Sequence, residues 1–119
     1  MMSLTQASCV PCRGGVPTLT DAEIAQLAPQ VPEWQAIEVQ GIKRLRREFR
    51  FKDFRSAMEF AIRVGELAEQ EQHHPDLHVA WGRVAVETWT HKIGGLHHND
   101  FILAAKTDRL YSPSNPQAS

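Results

Sequence analysis

The sequence predicts an α+β domain: a four-stranded antiparallel sheet with three helices on one face, in the order helix-strand-strand-helix-strand-strand-helix. Three observations lead there. Helical signals occur in three separate places. Between them lie two pairs of short segments in which apolar and polar residues alternate. Each pair is broken by a glycine turn, Gln40-Gly41 in the first and Gly82-Arg83 in the second. Hairpins separated by helices bury one sheet face against those helices. A length of 119 residues, 42% of them hydrophobic, suits one such domain with a modest core.

Residues Met1 to Pro17 hold Pro11, Gly14, Gly15 and Pro17 and no periodic pattern, which predicts a flexible N-terminal arm. The domain is expected over residues 18–111 and a flexible polar tail over 112–119. The first helix opens on Thr20-Asp21-Ala22-Glu23, a capping box in which Thr20 and Glu23 each satisfy the other's backbone N–H. Pro29 and Pro32 end it. Trp34 to Val39 reads as a strand. In KRLRREFRF, Leu45, Arg47, Phe49 and Phe51 share one face, and Arg44, Arg46, Glu48 and Arg50 share the other. That second row is read as a solvated face. Asp53 to Gln72 is the longest helix, with Phe54, Ala57, Met58, Ala61, Val64, Gly65 and Ala68 at three- and four-residue spacing. Pro75 cannot continue it and turns His74 toward extended backbone. Leu77 to Trp81 and Arg83 to His91 form the second strand pair. In the latter, Thr88 and Thr90 fall on one side, Trp89 and His91 on the other. Asn99 to Leu110 is the last helix, with Phe101, Ile102, Ala104 and Ala105 as its apolar side.

Composition narrows the function. A formal net charge of −1 gives no cationic field for direct nucleic-acid binding. No stretch reaches the ~20 apolar residues of a membrane span, and no signal-peptide pattern opens the chain. A cytoplasmic location is expected. Cys9 and Cys12 form one CxxC. A zinc site needs two further ligands, and none is near in sequence, so a reduced pair in the arm is expected.

All six histidines lie between His73 and His98. Imidazole alone has an unperturbed pKa near neutrality, about 6.5, so it suits a reaction that both gives and takes a proton. His73 and His74 are adjacent on non-helical chain, so their side chains diverge, one toward a pocket wall and one toward its mouth. His91 stands at a strand end before Gly94-Gly95, where functional side chains gather on a rigid scaffold. Two other readings compete. A metal site would use three of these imidazoles, but the His74–His78 spacing is a zinc signature only on a helix. A structural role would leave all six as surface or packing residues, and His78 in a strand is expected to be exposed.

The residues HHP at 73–75, Trp81, Val84, Thr90-His91, Gly95-Leu96, Asp100 and the run NDFILAAK (Asn99 to Lys106) follow one order and spacing. Together with the CxxC arm they resemble the bacterial branch of the pterin-4a-carbinolamine dehydratases, over about residues 18–110. The resemblance implies a lyase that removes water from 4a-hydroxytetrahydropterin, giving quinonoid dihydropterin for recycling. It also implies a four-stranded sheet with three helices, homo-oligomers (dimers or tetramers), and no metal or redox cofactor. It puts the active-site histidines at His73, His74 and His91 and the acidic residue near the third at Asp100. Trp34 matches a family tryptophan near the pocket, or is a core aromatic. Relatives of this fold include non-catalytic binding modules: a dimerisation cofactor for a transcription factor, and rubisco assembly factors. The alternative is that this chain serves a protein partner in that way.

Two positions depart from the family pattern. Gln72 stands where many members carry Asp. His97 replaces the Thr or Ser that caps the last helix, and an imidazole is expected to cap poorly there.

Overall fold

The computed structural model describes residues 4–10 and 14–111; Cys12 and the tail from Ser112 lie outside the described residues. The elements follow the expected order: α1 (Asp21–Leu27), β1 (Gln35–Val39), β2 (Ile42–Arg50), α2 (Phe54–Glu71), β3 (Asp76–Ala80), β4 (Arg83–Thr88) and α3 (His98–Tyr111). The strands form one antiparallel sheet in the order β1-β2-β4-β3, so β2 of the first hairpin pairs with β4 of the second.

Register decides which side chains meet the helices. Leu45 stands opposite Thr88, Phe49 and Val79 opposite Val84, and Leu77 opposite Val86. Directly opposed residues share a face, and this face is the floor of the core. Ala57, Phe60, Ala61 and Val64 of α2, with Phe101, Ile102, Ala104 and Ala105 of α3, pack over it; Ile24 and Leu27 of α1 add a partly buried margin. Phe49, Phe60 and Tyr111 interlock with centroid distances of 4.8–5.7 Å, a spacing that favours tilted and edge-on rings.

The helix ends follow their chemistry. Both bonds of the Thr20–Glu23 box form, at 3.2 and 2.8 Å. Asp53 caps α2 by accepting from the Ser56 N–H at 2.8 Å. Gln72 closes α2 in the left-handed region, φ 55°, and the His73 N–H then reaches back to the Ala68 carbonyl at 3.1 Å. The helix therefore stops immediately before His73, and Pro75 keeps it stopped.

Three details differ from the sequence reading. Phe54 and Met58, at one edge of the apolar face of α2, point outward with Ile62; Ala57, Phe60, Ala61, Val64 and Ala68 of the same face are buried. The outer row of β2 is not simply solvated. Arg44 and Arg46 bind Glu87, and Arg46 and Arg50 bind Glu48, at 3.1–3.4 Å. Arg47, on the inner face, is matched by Asp108 at 2.7 Å and lies 4.4 Å over Phe49. Residues 4–10, within the expected arm, are packed: Leu4 is buried in the core, its N–H donating to Gln30 Oε1 at 3.1 Å. Among the described residues no helix is long and apolar enough to cross a membrane.

Candidate active site

The end of α2, the chain after β4 and the start of α3 converge on one cavity of about 410 Å³, within the usual size range for small-molecule sites. His73, His74 and His91 all line it. His73 is buried at its wall, while His74 and His91 are exposed at its mouth. Sequence separation gave little hint of this, since β3, β4 and a turn intervene between the histidine pair and His91.

His73 is fixed by Asp100. Its Nε2 lies 2.6 Å from Asp100 Oδ1. Asp100 is fully buried, at 0% exposure, and its carboxylate accepts three further bonds: Thr88 Oγ1 to Oδ1 at 2.7 Å, Thr90 Oγ1 to Oδ2 at 2.9 Å, and the His97 N–H to Oδ2 at 3.0 Å. A carboxylate without water is tolerated when its lone pairs are filled this way. Asp100 thus bonds to His73 rather than to His91, which it approaches only through Thr90. Thr88 and Thr90, which the strand pattern placed on one face without naming a partner, both donate to Asp100.

His91 sits in a 3-10 turn, His91–Ile93, beyond the end of β4. Thr90 and Gly95 close that turn, the Thr90 N–H donating to the Gly95 carbonyl at 2.8 Å. Gly94 has φ 67°, which the turn requires, and a Cβ on Gly95 would fall 2.6 Å from Thr18 Cγ2, so that position is kept small by the packing of Thr18. The His91 ring packs on Trp89 with centroids 4.5 Å apart, and the Arg44 guanidinium lies 3.8 Å over the indole. His74 pairs with Glu69 at 2.5 Å, but both side chains are more than half exposed, so this pair adds little stability.

Trp34 is not among the residues lining the cavity. It is buried, edge-on to Phe49 at 6.0 Å, and its Nε1–H donates to Asp108 at 2.8 Å. Of its two readings this is the core aromatic. His78 is exposed on the outer sheet face, beside Ala85 of β4. Burial, followed by the neighbouring Glu71 carboxylate, pushes the Cys9 thiol up to about 12, so it remains a thiol at neutral pH.

His97 corrects the expectation of a poor cap. Its Nδ1 accepts the Asn99 N–H at 3.0 Å, while Asp100 accepts the His97 N–H. The imidazole takes the second amide of the helix as a capping hydroxyl can, and Asp100 returns the bond to the His97 N–H as the acid of a capping box does. This requires a neutral ring, and burial lowers the His97 pKa despite the nearby Asp100; His73 and His98 add to the lowering. A folded-state pKa below the unfolded 6.5 gives stability that is complete above pH 6.5 and lost as pH falls through the folded value. His97→Thr should therefore fold within about 0.5 kcal/mol of wild type at pH 8, one cap replacing another. It should gain on wild type as pH drops from 6.5 toward 5. Urea melts of both proteins across that range test this; a constant difference at every pH would contradict it.

Fold and cavity together define a class of protein, an α+β domain whose sheet and helices close on a histidine-lined cavity. Among the described residues no group of three or more His, Cys, Asp or Glu side chains is arranged to hold a metal ion. A family model described as pterin 4 alpha carbinolamine dehydratase matches residues 17–110. The chain is 53% identical over 109 residues to a protein of Gloeobacter violaceus named "Putative pterin-4-alpha-carbinolamine dehydratase 1", covering 92% of this chain and 94% of that one. A similarly named protein of Syntrophotalea carbinolica is 52% identical, covering 92% and 98%. A crystal structure from Brucella melitensis, titled a transcriptional coactivator/pterin dehydratase, superposes with a TM-score of 0.70 at 32% identity, over 78% of this chain and 97% of that one. The chain belongs to the pterin 4 alpha carbinolamine dehydratase family.

Proposed function

We propose that this chain dehydrates 4a-hydroxytetrahydropterin to quinonoid dihydropterin by general acid–base catalysis, with His73, His74 and His91 as the catalytic groups and Asp100 as the support of His73. The observation that carries the reading is the meeting of three imidazoles at one cavity, one of them anchored to a buried carboxylate.

The substrate holds a hydroxyl and a ring nitrogen on one carbon. The nitrogen lone pair forms the C=N bond as the C–O bond breaks. The departing hydroxyl takes a proton and leaves as water, and the nitrogen gives its proton to a base. Asp100 already accepts from two hydroxyls and an amide, so as a carboxylate it also takes the Nε2–H of His73. That leaves a lone pair on His73 Nδ1, and His73 is the base. His74 and His91, at the mouth, deliver the proton to the hydroxyl and hold the pterin's polar edge. Trp89 beneath His91 offers an aromatic wall to a flat heterocycle. Purified protein should dehydrate a synthetic 4a-hydroxytetrahydropterin faster than buffer, with or without EDTA; a rate equal to buffer's would remove the reading.

The Brucella relative's title joins a coactivator role to the dehydratase one. Three imidazoles on one cavity favour catalysis here.

Self-association is part of the same reading. Phe54, Met58 and Ile62 of α2 are 48%, 39% and 57% exposed, and their four-residue spacing makes them one stripe. Arg55, Glu59, Arg63 and Glu66 flank it with alternating sign. Such a stripe matches a second copy of itself laid antiparallel, with Met58 against Ile62 and Arg55 against Glu66. Light scattering should give a mass above the 13.4 kDa chain, and Ile62→Glu should lower it. A wild type that is monomeric at micromolar concentration would contradict this.

A further inference from the structure

The N-terminal segment is held in a way that packing alone does not require. Val10 and Asn99 are paired like neighbouring strands: the Val10 N–H donates to Asn99 Oδ1 at 3.0 Å, and Asn99 Nδ2 donates to the Val10 carbonyl at 2.6 Å. Asn99 is 2% exposed and directly precedes Asp100. One residue back, the Cys9 N–H donates to Glu71 Oε1 at 2.8 Å, and the other Glu71 oxygen binds Lys106 at 2.6 Å. Glu71 is the last residue of α2, two before His73. The segment is thus pinned to the two elements that supply His73 and its carboxylate. Its far end is anchored by buried Leu4.

The side chain brought to the cavity by these bonds is Val10. It lines the space that His73 and His91 line, yet it is 57% exposed and has almost no core to fill. An apolar side chain held at a cavity by a buried amide, rather than buried itself, has the placement of a substrate contact.

We infer that the segment of residues 4–10 brings one wall residue to the pterin pocket, Val10, as a substrate-contacting specificity residue, with Asn99 the positioning residue that holds it there. The inference rests on the dehydratase reading for its ligand. The wall is made of chain outside the sheet-and-helix scaffold, so its effect falls on binding of the heterocycle and not on the proton transfers at His73.

Two variants test this by different routes. Asn99→Ala removes both bonds to Val10. With Val10 no longer held at the cavity, KM for 4a-hydroxytetrahydropterin should rise by about tenfold, with kcat within about twofold of wild type. Hydrogen exchange should speed up at the Val10 amide, while amides of β2 and β4 keep wild-type protection. Val10→Trp leaves every backbone bond in place and adds bulk at an exposed position, so it folds as wild type. It should raise KM in the same way, with kcat again held. Calorimetry with a non-reacting 7,8-dihydropterin should show a matching rise in Kd for both variants. Unchanged KM and Kd in both, or a loss confined to kcat, would overturn the inference. Wild-type protein that binds the dihydropterin in a Val10-dependent way but does not dehydrate its substrate would sink the reaction and leave the wall standing. Wild-type protein that binds no pterin would end both.

Discussion

Asp100→Ala should lower stability by about 3–5 kcal/mol, the range for removing one member of a buried charged network. The side chain is fully buried and accepts from Thr88, Thr90 and the His97 N–H while meeting His73. Alanine leaves all four groups facing a small void without the carboxylate, and each orphaned buried donor costs about 1–3 kcal/mol. Rotation of the threonine hydroxyls recovers part of that. The same carboxylate closes the capping box of α3, so the helix start loosens as well. Asp100→Asn keeps the volume and one acceptor oxygen but turns an amide donor toward groups that already donate, and should fall between wild type and alanine. Urea melts of the three proteins are the check. A loss below about 1 kcal/mol for Asp100→Ala would show that the network is not what holds this end of the sheet.

Much of the fold was legible because each element announces itself locally. The Thr20–Glu23 box, the 3.6-residue period of α2 and the stop at Gln72-His73 before Pro75 depend on residues a few positions apart, and local geometry follows from them. The alternation in β2 likewise decides which side of Leu45 and Phe49 meets the helices. What could not be read are choices made by packing. A helical wheel does not say where the apolar face of α2 ends against the sheet, so it counts Phe54 and Met58 inward with Ala57 and Val64. Arg47 on a core-facing position is intelligible only with Asp108, 61 residues away, beside it.

The candidate site divides along the same line. His73 and His74 could be singled out from their place between a helix and a proline. The tie from His73 to Asp100 spans 27 residues, and that from Val10 to Asn99 spans 89. No spacing rule connects such positions; the three-dimensional path of β3, β4 and α3 does. His97 was misjudged for a different reason. Whether an imidazole caps a helix depends on its rotamer and on which nitrogen carries the proton, and neither is written in the residue's name.

His91→Ala should lower turnover by about 100-fold or more, the contribution of a positioned acid or base. His91 is exposed, stacked on Trp89 and held by a turn whose backbone bonds do not involve its ring. Its removal therefore costs little stability, and the loss falls on the reaction. His73→Ala should lose at least as much activity, but it also strips a partner from Asp100 and some of its effect passes through the fold. His91→Ala is the cleaner of the two. His78→Ala removes an exposed imidazole from the outer sheet face, away from the cavity, so it controls for loss of histidine as such.

The most direct measurement is the initial rate of 4a-hydroxytetrahydropterin dehydration by wild type, His91→Ala, His73→Ala and His78→Ala, each shown by circular dichroism to be folded at the assay temperature. The account predicts that wild type and His78→Ala share one rate well above buffer, and that His91→Ala and His73→Ala fall at least about 100-fold below it. Equal rates for His91→Ala and His78→Ala would contradict it, because the imidazoles around the cavity would then not be moving the protons.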